Sequence, residues 1–225
     1  EATLAQLGCA AEWREMPWAR LLHEIEIGAV QAAPYAVRTT DREQFARFSS
    51  PYLCNSFGVW TNADSRLPRA FQRLRDLREI DLSIGVVREA VYSPDYARLL
   101  KDPTFTDRLH RVTATEKLTE LLRARRVDGI IRRDLAMQFH LRSDSGHGDD
   151  FVRADIGFDA VPLGHFMFGR EQTDAAFVKR FDEALTAIVA SARFDRIVET
   201  YGGDPSALRP HSGRQNPCAG GNPLG

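Results

Sequence analysis

The sequence predicts an α/β fold with largely parallel sheets, and three observations predict it. Short apolar, β-compatible runs recur along the chain, each feeding a polar loop. Amphipathic stretches with helical spacing lie between them. The two kinds alternate, which is the pattern of strands joined by crossover helices.

The first element is helical: Trp18, Leu21, Leu22 and Ile25 share one stripe, and Gly28 stands where a helix stops. "AVQAAPYAV" follows as a buried strand that runs into the polar loop from Arg38 to Gln44. "DLSIGVVREA" repeats this logic with Ile84, Val86 and Val87, and "RVDGIIRRD" does so with Val127, Ile130 and Ile131. Between those strands "TATEKLTELLRARR" sets Leu118, Leu121 and Leu122 on one face behind Thr115, a capping residue type. Phe177, Phe181, Leu185, Ile188 and Val189 form the stripe of a long helical region with Thr173 or Asp174 as cap and Gly202 as stop, breaking near Ser191. From Gly203 onward Gly, Pro, Ser and Asn dominate and little is left to bury, so an irregular tail is expected. "RSDSGHGDDF" has the same loop chemistry in mid-chain, and "GHGDD" reads as a solvated loop before it reads as a cation site.

Composition narrows the function. A chain of 225 residues can build real cores without metal or disulfide staples. With 30 basic and 31 acidic residues the net charge is −1, which suggests neither a nucleic-acid nor an anionic-membrane partner. No apolar run approaches the ~20 residues that span a bilayer, and no export signal is visible at the start. Cys9, Cys54 and Cys218 lack metal spacing; one bridge plus a free thiol and three reduced thiols both fit. The six histidines show no ligand spacing, and there is no GxSxG, P-loop or GxGxxG. Neither a cofactor nor a metal is expected.

Three passages in fixed order, "RTTDREQFARFSSPY", "RVDGIIRRD" and "FVKRFDEALTAIVASARFDRIVETYG", together with "MPWARLLHEIEIG", resemble the family 3 extracellular solute-binding proteins, the amino-acid-type receptors of ABC importers. The resemblance covers Glu1 to about Gly202. It implies a two-lobe, periplasmic-binding-protein-like type II fold, with residues 1–60 and 166–202 in lobe one, 61–165 in lobe two and 203–225 as the tail. Two hinge strands would join the lobes, at about Phe57 to Asn62 and Pro162 to Gly169. The family places a strand and a "YPPF"-type loop ahead of the helix that starts here at Glu1; lobe one is expected to lack that first strand here, either because the sequence is trimmed or because the lobe is altered.

The resemblance also implies a function: non-enzymatic capture of a small, polar, carboxylate-bearing solute in an interlobe cleft, for ABC-type uptake. The expected partners are that solute and an ABC permease, with a monomeric receptor that meets the membrane only through its partner, in the periplasm or outside the cell. The ligand-sensing domain of a signalling receptor and a cyclohexadienyl-dehydratase-like enzyme are the alternatives that share the fold. Arg42 matches the arginine that grips the ligand carboxylate, against the plain alternative of a surface arginine paired to Asp41 or Glu43. Trp18 matches an aromatic that stacks on the ligand, and Tyr35 stands at the loop where it would line the cleft. In lobe two the candidates are Glu89, Tyr92, Arg133 and Asp134, with Arg88 and Arg132 beside them.

Two departures bear on the ligand. Arg133 stands where the family has the aspartate that holds the ligand ammonium, and Asp134 follows one place later. "EAV", Glu89 to Val91, replaces a "GST"-like helix start. Both point away from a standard α-amino acid, and Arg133 favours a second anionic group.

Overall fold

The computed structural model describes residues 1–65, 72–79, 81–143, 150–160, 162–210 and 218. The chain divides into two compact units, Glu1–Asn55 with Pro162–Gly225, and Ser56–Val161. Unit 1 begins with α1 (Ala2–Gln6), α2 (Trp18–Glu26), β1 (Ala32–Ala36), α3 (Thr40–Phe45), β2 (Ala46–Phe48) and β3 (Leu53–Cys54). Unit 2 holds β4 (Phe57–Asn62), a 3-10 turn at Leu74–Glu79, β5 (Ile84–Val87), α4 (Pro94–Leu99) and α5 (Pro103–Thr106). It continues with β6 (Leu109–Val112), α6 (Glu116–Arg123), β7 (Gly129–Arg133), α7 (Asp134–Ser143) and β8 (Phe151–Arg153). The chain returns to unit 1 through β9 (Leu163–Gly169), α8 (Ala175–Val189), α9 (Ala192–Thr200) and α10 (Pro205–Leu208). Residues 144–149, which hold most of the "GHGDD" loop, lie outside the described residues.

Unit 1 is built around β9. Strands β1 and β2 flank it and β3 pairs its start, all antiparallel, so the expectation of largely parallel sheets does not hold here. Alternation along β9 divides the core: Met167 joins Ile25, Ala33, Ala36 and Ala46 beneath α2, whereas Phe168 faces Val178, Phe181 and Leu185 of α8. Small residues on β1 let α2 lie close to the sheet. Asp174 caps α8 by accepting from the Phe177 N–H at 2.6 Å. Ser191 caps α9, its hydroxyl accepting from the Arg193 N–H at 3.2 Å, so the expected break is a new helix start.

Unit 2 carries a five-stranded sheet in the order β6-β5-β7-β4-β8. Only the β5–β6 and β5–β7 ladders among the described strands are parallel; β4 runs antiparallel to β7 and β8. Val59, Ile84, Val86 and Ile131 pack on one face with Tyr92, Tyr96 and Phe105. Trp60 and Ile130 pack on the other with Leu118 and Leu122 of α6 and Met137 of α7. Strand β4 pairs wholly within unit 2 and β9 wholly within unit 1, so the chain passes between units at Asn55/Ser56 and Val161/Pro162.

Within the expected irregular tail, residues 203–225, the described residues 204–210 are ordered into a short helix and its flanks. Asp204 caps α10, whose Leu208 is 5% exposed, and Arg209 pairs with Asp195 while lying over the Phe194 ring. One leucine and one stacking arginine give the segment enough to bury. Cys218 is bonded to Cys54 of β3, and Cys9 is the free thiol.

Candidate functional site

In unit 1 the structure brings Arg42 and Trp18 together. Thr39 caps α3 by accepting from the Arg42 N–H at 3.3 Å, which aims the Arg42 side chain back along its own loop. Its Nη1 donates to the Val37 carbonyl at 2.8 Å, and its guanidinium carbon lies 5.4 Å from the centroid of the Trp18 indole. Arg42 is only 7% exposed, and Glu43 is held by Arg38 instead. A guanidinium fixed on an aromatic face keeps its planar fork in one orientation, which suits bidentate recognition of a carboxylate.

Tyr35 meets Tyr52. Its φ is +60°, at the point where the β1–β9 register shifts, and it is 44% exposed. Its N–H donates to the Tyr52 hydroxyl at 3.1 Å, and the two rings stand 5.9 Å apart. Tyr52 belongs to the "FSSPY" passage, so the sequence held a signal for it that was not read. Behind the same passage Asp182 of α8 accepts from the Ser50 N–H at 2.5 Å and the Ser50 hydroxyl at 2.6 Å.

Unit 1 also contains a cavity of about 660 Å³, walled by residues 9–14, by Ala32, Ala33 and Pro34 of β1, and by Phe166, Phe177 and Phe181. The Gln31 carbonyl accepts from the Gly169 N–H at 2.9 Å and so faces β9, which turns the N–H and C=O of Ala32 to the outer edge, where the cavity lies. Trp18, Tyr35 and Arg42 do not line it.

In unit 2 the candidates collect at the carboxyl ends of β6, β5 and β7, the end of parallel strands at which ligands bind in open α/β sheets. Glu89 follows β5 with φ +61°, a left-handed backbone that costs a side-chain-bearing residue about 1–2 kcal/mol. Arg133 lies over the Phe57 ring at 5.5 Å. Arg132, beside it, is 7% exposed.

Tyr92 and Asp134 are committed to the framework. The buried Tyr92 hydroxyl accepts from the Val87 N–H at 2.8 Å, its ring meets Phe57 and Tyr96 edge-on, and burial pushes its phenol well up. Asp134, 2% exposed, accepts from the Ser56 hydroxyl, from Trp60 Nε1 at 3.2 Å and from Arg153 Nε at 3.0 Å. A Cβ on Gly58 would come within 2.4 Å of the Asp134 Oδ1, so only glycine leaves room for this carboxylate. Arg153, reached from a distant strand, carried no local sequence signal.

Among the described residues no group of three His, Cys, Asp or Glu is placed to hold a metal, and no helix is long and apolar enough to cross a membrane.

The profile of the bacterial extracellular solute-binding proteins, family 3, matches residues 1–204. The chain belongs to this family. Solved structures agree on the fold, the periplasmic-binding-protein-like type II arrangement of mixed α/β elements. The substrate-binding protein of an amino acid ABC transporter is 16% identical with a TM-score of 0.71, over 89% of this chain and 84% of that one. A histidine kinase sensor domain similar to periplasmic binding proteins is 16% identical with a TM-score of 0.73, over 89% and 82%. The arginine-, lysine-, histidine-binding protein ArtJ of Geobacillus stearothermophilus is 18% identical with a TM-score of 0.71, over 89% and 82%. No curated protein matches the chain. The family is extracellular or periplasmic and its members bind solutes, which supports a solute-binding role for this one.

Proposed function

We propose that the protein binds, without turnover, a small polar solute bearing a carboxylate, and presents it for ABC-type uptake. Arg42 clamps the carboxylate on unit 1, with Trp18 stacked behind it and Tyr35 at the rim; Glu89 and Arg133 supply the contacts from unit 2. The observation that carries this reading is the buried guanidinium of Arg42 placed over the Trp18 indole, 5.4 Å from its centroid. A carboxylate there meets a preoriented fork at little further entropic cost. Binding that touches both units would favour their closed arrangement, and a permease would recognise that state in a monomeric receptor.

A thermal-shift screen over amino acids, dicarboxylates and aromatic acids tests it, since a ligand at about 100 times its Kd stabilises the fold by ~2.7 kcal/mol. No shift with any carboxylic acid would remove the proposal.

A second reading, the sensing domain of a signalling receptor, has the sensor-domain likeness in its favour. The sequence flanking this segment in the gene distinguishes the two, because a sensor needs a membrane helix joined to it. The dehydratase-like alternative needs a carboxyl group with a raised pKa. Absence of prephenate turnover is its test.

A further inference from the structure

The guanidinium of Arg132 has less polar company than any burial of this depth calls for. Its Nη1 reaches the thioether of Met137 at 3.5 Å, and its Nε is buried with no hydrogen-bond partner among the described residues. Buried arginines ordinarily meet oxygen acceptors, because unmet donors forfeit the hydration they had in water. A thioether is a weak acceptor and replaces little of it. The acid whose charge acts on Arg132 is Glu116, the first residue of α6, through space and without a hydrogen bond.

Topology decides what lies in front of this side chain. Arg132 pairs with Gly58 and Ile130 with Trp60, so Arg132 stands on the face covered by α6, where Leu118 and Leu122 pack on Ile130. Strands β6, β5 and β7 are parallel, and α6 begins four residues after β6 ends at Val112. The start of α6 and the end of β7 are therefore at the same end of the sheet. Thr115, the residue at the N-cap of α6, makes no side-chain cap bond. An uncapped helix start and a buried guanidinium both favour negative charge. Arg111 and Arg133 lie on the opposite face, where they act on Tyr96 and Tyr92, so on the α6 side the charge that acts on Arg132 is that of Glu116.

We infer that Arg132 and the N-terminus of α6 form an anion subsite within unit 2 that takes a carboxylate or a phosphate, and that the solute bears such a second acidic group. This deepens the proposed function and rests on it. A ligand with a cationic side group, as for the arginine-, lysine-, histidine-binding neighbour, would bring a like charge to the Arg132 guanidinium. Glu116 competes with the incoming anion for Arg132, so its charge sets how tightly the diacid is held.

Isothermal titration of the full chain with glutarate, butyrate, L-arginine and inorganic phosphate tests the assignment. Glutarate should bind at least about tenfold more tightly than butyrate, the contribution of one charge-assisted hydrogen bond. Arg132→Met should abolish that preference and the binding of inorganic phosphate. Arg42→Lys should weaken both acids while leaving phosphate bound, and Glu116→Gln, which keeps the buried arginine in place, should tighten glutarate. Equal affinity for glutarate and butyrate, preference for L-arginine, or an unaltered glutarate preference in both the Arg132→Met and Glu116→Gln proteins would overturn the subsite and leave the Arg42 reading standing. Loss of all acid binding in the unaltered protein would instead overturn the Arg42 reading, and the diacid with it.

Discussion

The guanidinium of Arg42 lies over the Trp18 indole, 5.4 Å from its centroid, joining the first turn of α3 to the first turn of α2. Neither residue belongs to the sheet, yet the contact fixes where the fork of the arginine points.

Replacing Arg42 therefore separates binding from folding. Arg42→Lys keeps the charge but loses the planar fork, and should weaken binding of a carboxylate solute by ~2 kcal/mol. Trp18→Leu keeps apolar volume and removes the ring face, with an expected loss of about 0.5–2 kcal/mol in affinity. Calorimetric affinities beside urea midpoints separate the two effects. An Arg42→Lys protein with unchanged affinity for the true ligand would show that this arginine serves the fold alone.

Asp134 should matter to stability more than to affinity. Removing its carboxylate leaves Arg153, Trp60 and Ser56 facing an empty acceptor site, and Asp134→Ala should cost about 3–5 kcal/mol. Ser56→Ala, which removes one donor only, should cost about 1–2 kcal/mol. Equilibrium urea unfolding reads both, and equal midpoints for Asp134→Ala and the parent would contradict the framework role.

The bridge between Cys54 and Cys218 closes a loop of 164 residues in sequence separation. Restricting the unfolded chain in this way is worth ~2–5 kcal/mol, so the Cys54→Ser, Cys218→Ser protein should unfold at correspondingly lower denaturant. Alkylation before reduction should label Cys9 alone. Labelling of all three thiols in unreduced protein would show that the bridge is not formed.

His165 supplies a pH dependence. Burial holds its pKa below the ordinary histidine value, helped by the nearby Arg38 charge and opposed by its hydrogen bond to the Ser49 carbonyl and by Asp182. A depressed folded-state pKa means that the unfolded chain binds the proton first, so stability is complete above about pH 6.5 and declines as pH falls through the folded value. Urea midpoints from pH 7.5 to 5 should fall for the parent and fall less for His165→Gln. Parallel pH profiles would assign the dependence to other groups.

Much of the local architecture was legible. Leucine and phenylalanine spacing identified α2, α6 and α8, and Asp174, Ser191 and Gly202 marked real starts and stops, because a helix stripe and its cap are written within a dozen residues. The candidate site was legible only in part. Arg42 and Trp18 were found through a motif and prove to be in contact. Tyr92 and Asp134 have the same polar chemistry on paper as true surface groups, and their burial depends on Phe57, Ser56 and Arg153 from other parts of the chain.

By itself, then, the sequence determined the helices whose stripe and stop are local, α2, α6 and α8, since backbone periodicity is a property of near neighbours; residues Arg38 to Gln44, expected as a polar loop, instead hold most of the short helix α3, which has no apolar stripe to mark it. Strand direction in unit 1, the choice of Cys218 over Cys9 as the partner of Cys54, the packing of Leu208, and the isolation of Arg132 were decided only in three dimensions. Each depends on residues brought together from far along the chain. The free energy of such a contact is set by what both partners lose to water, and no local pattern records it.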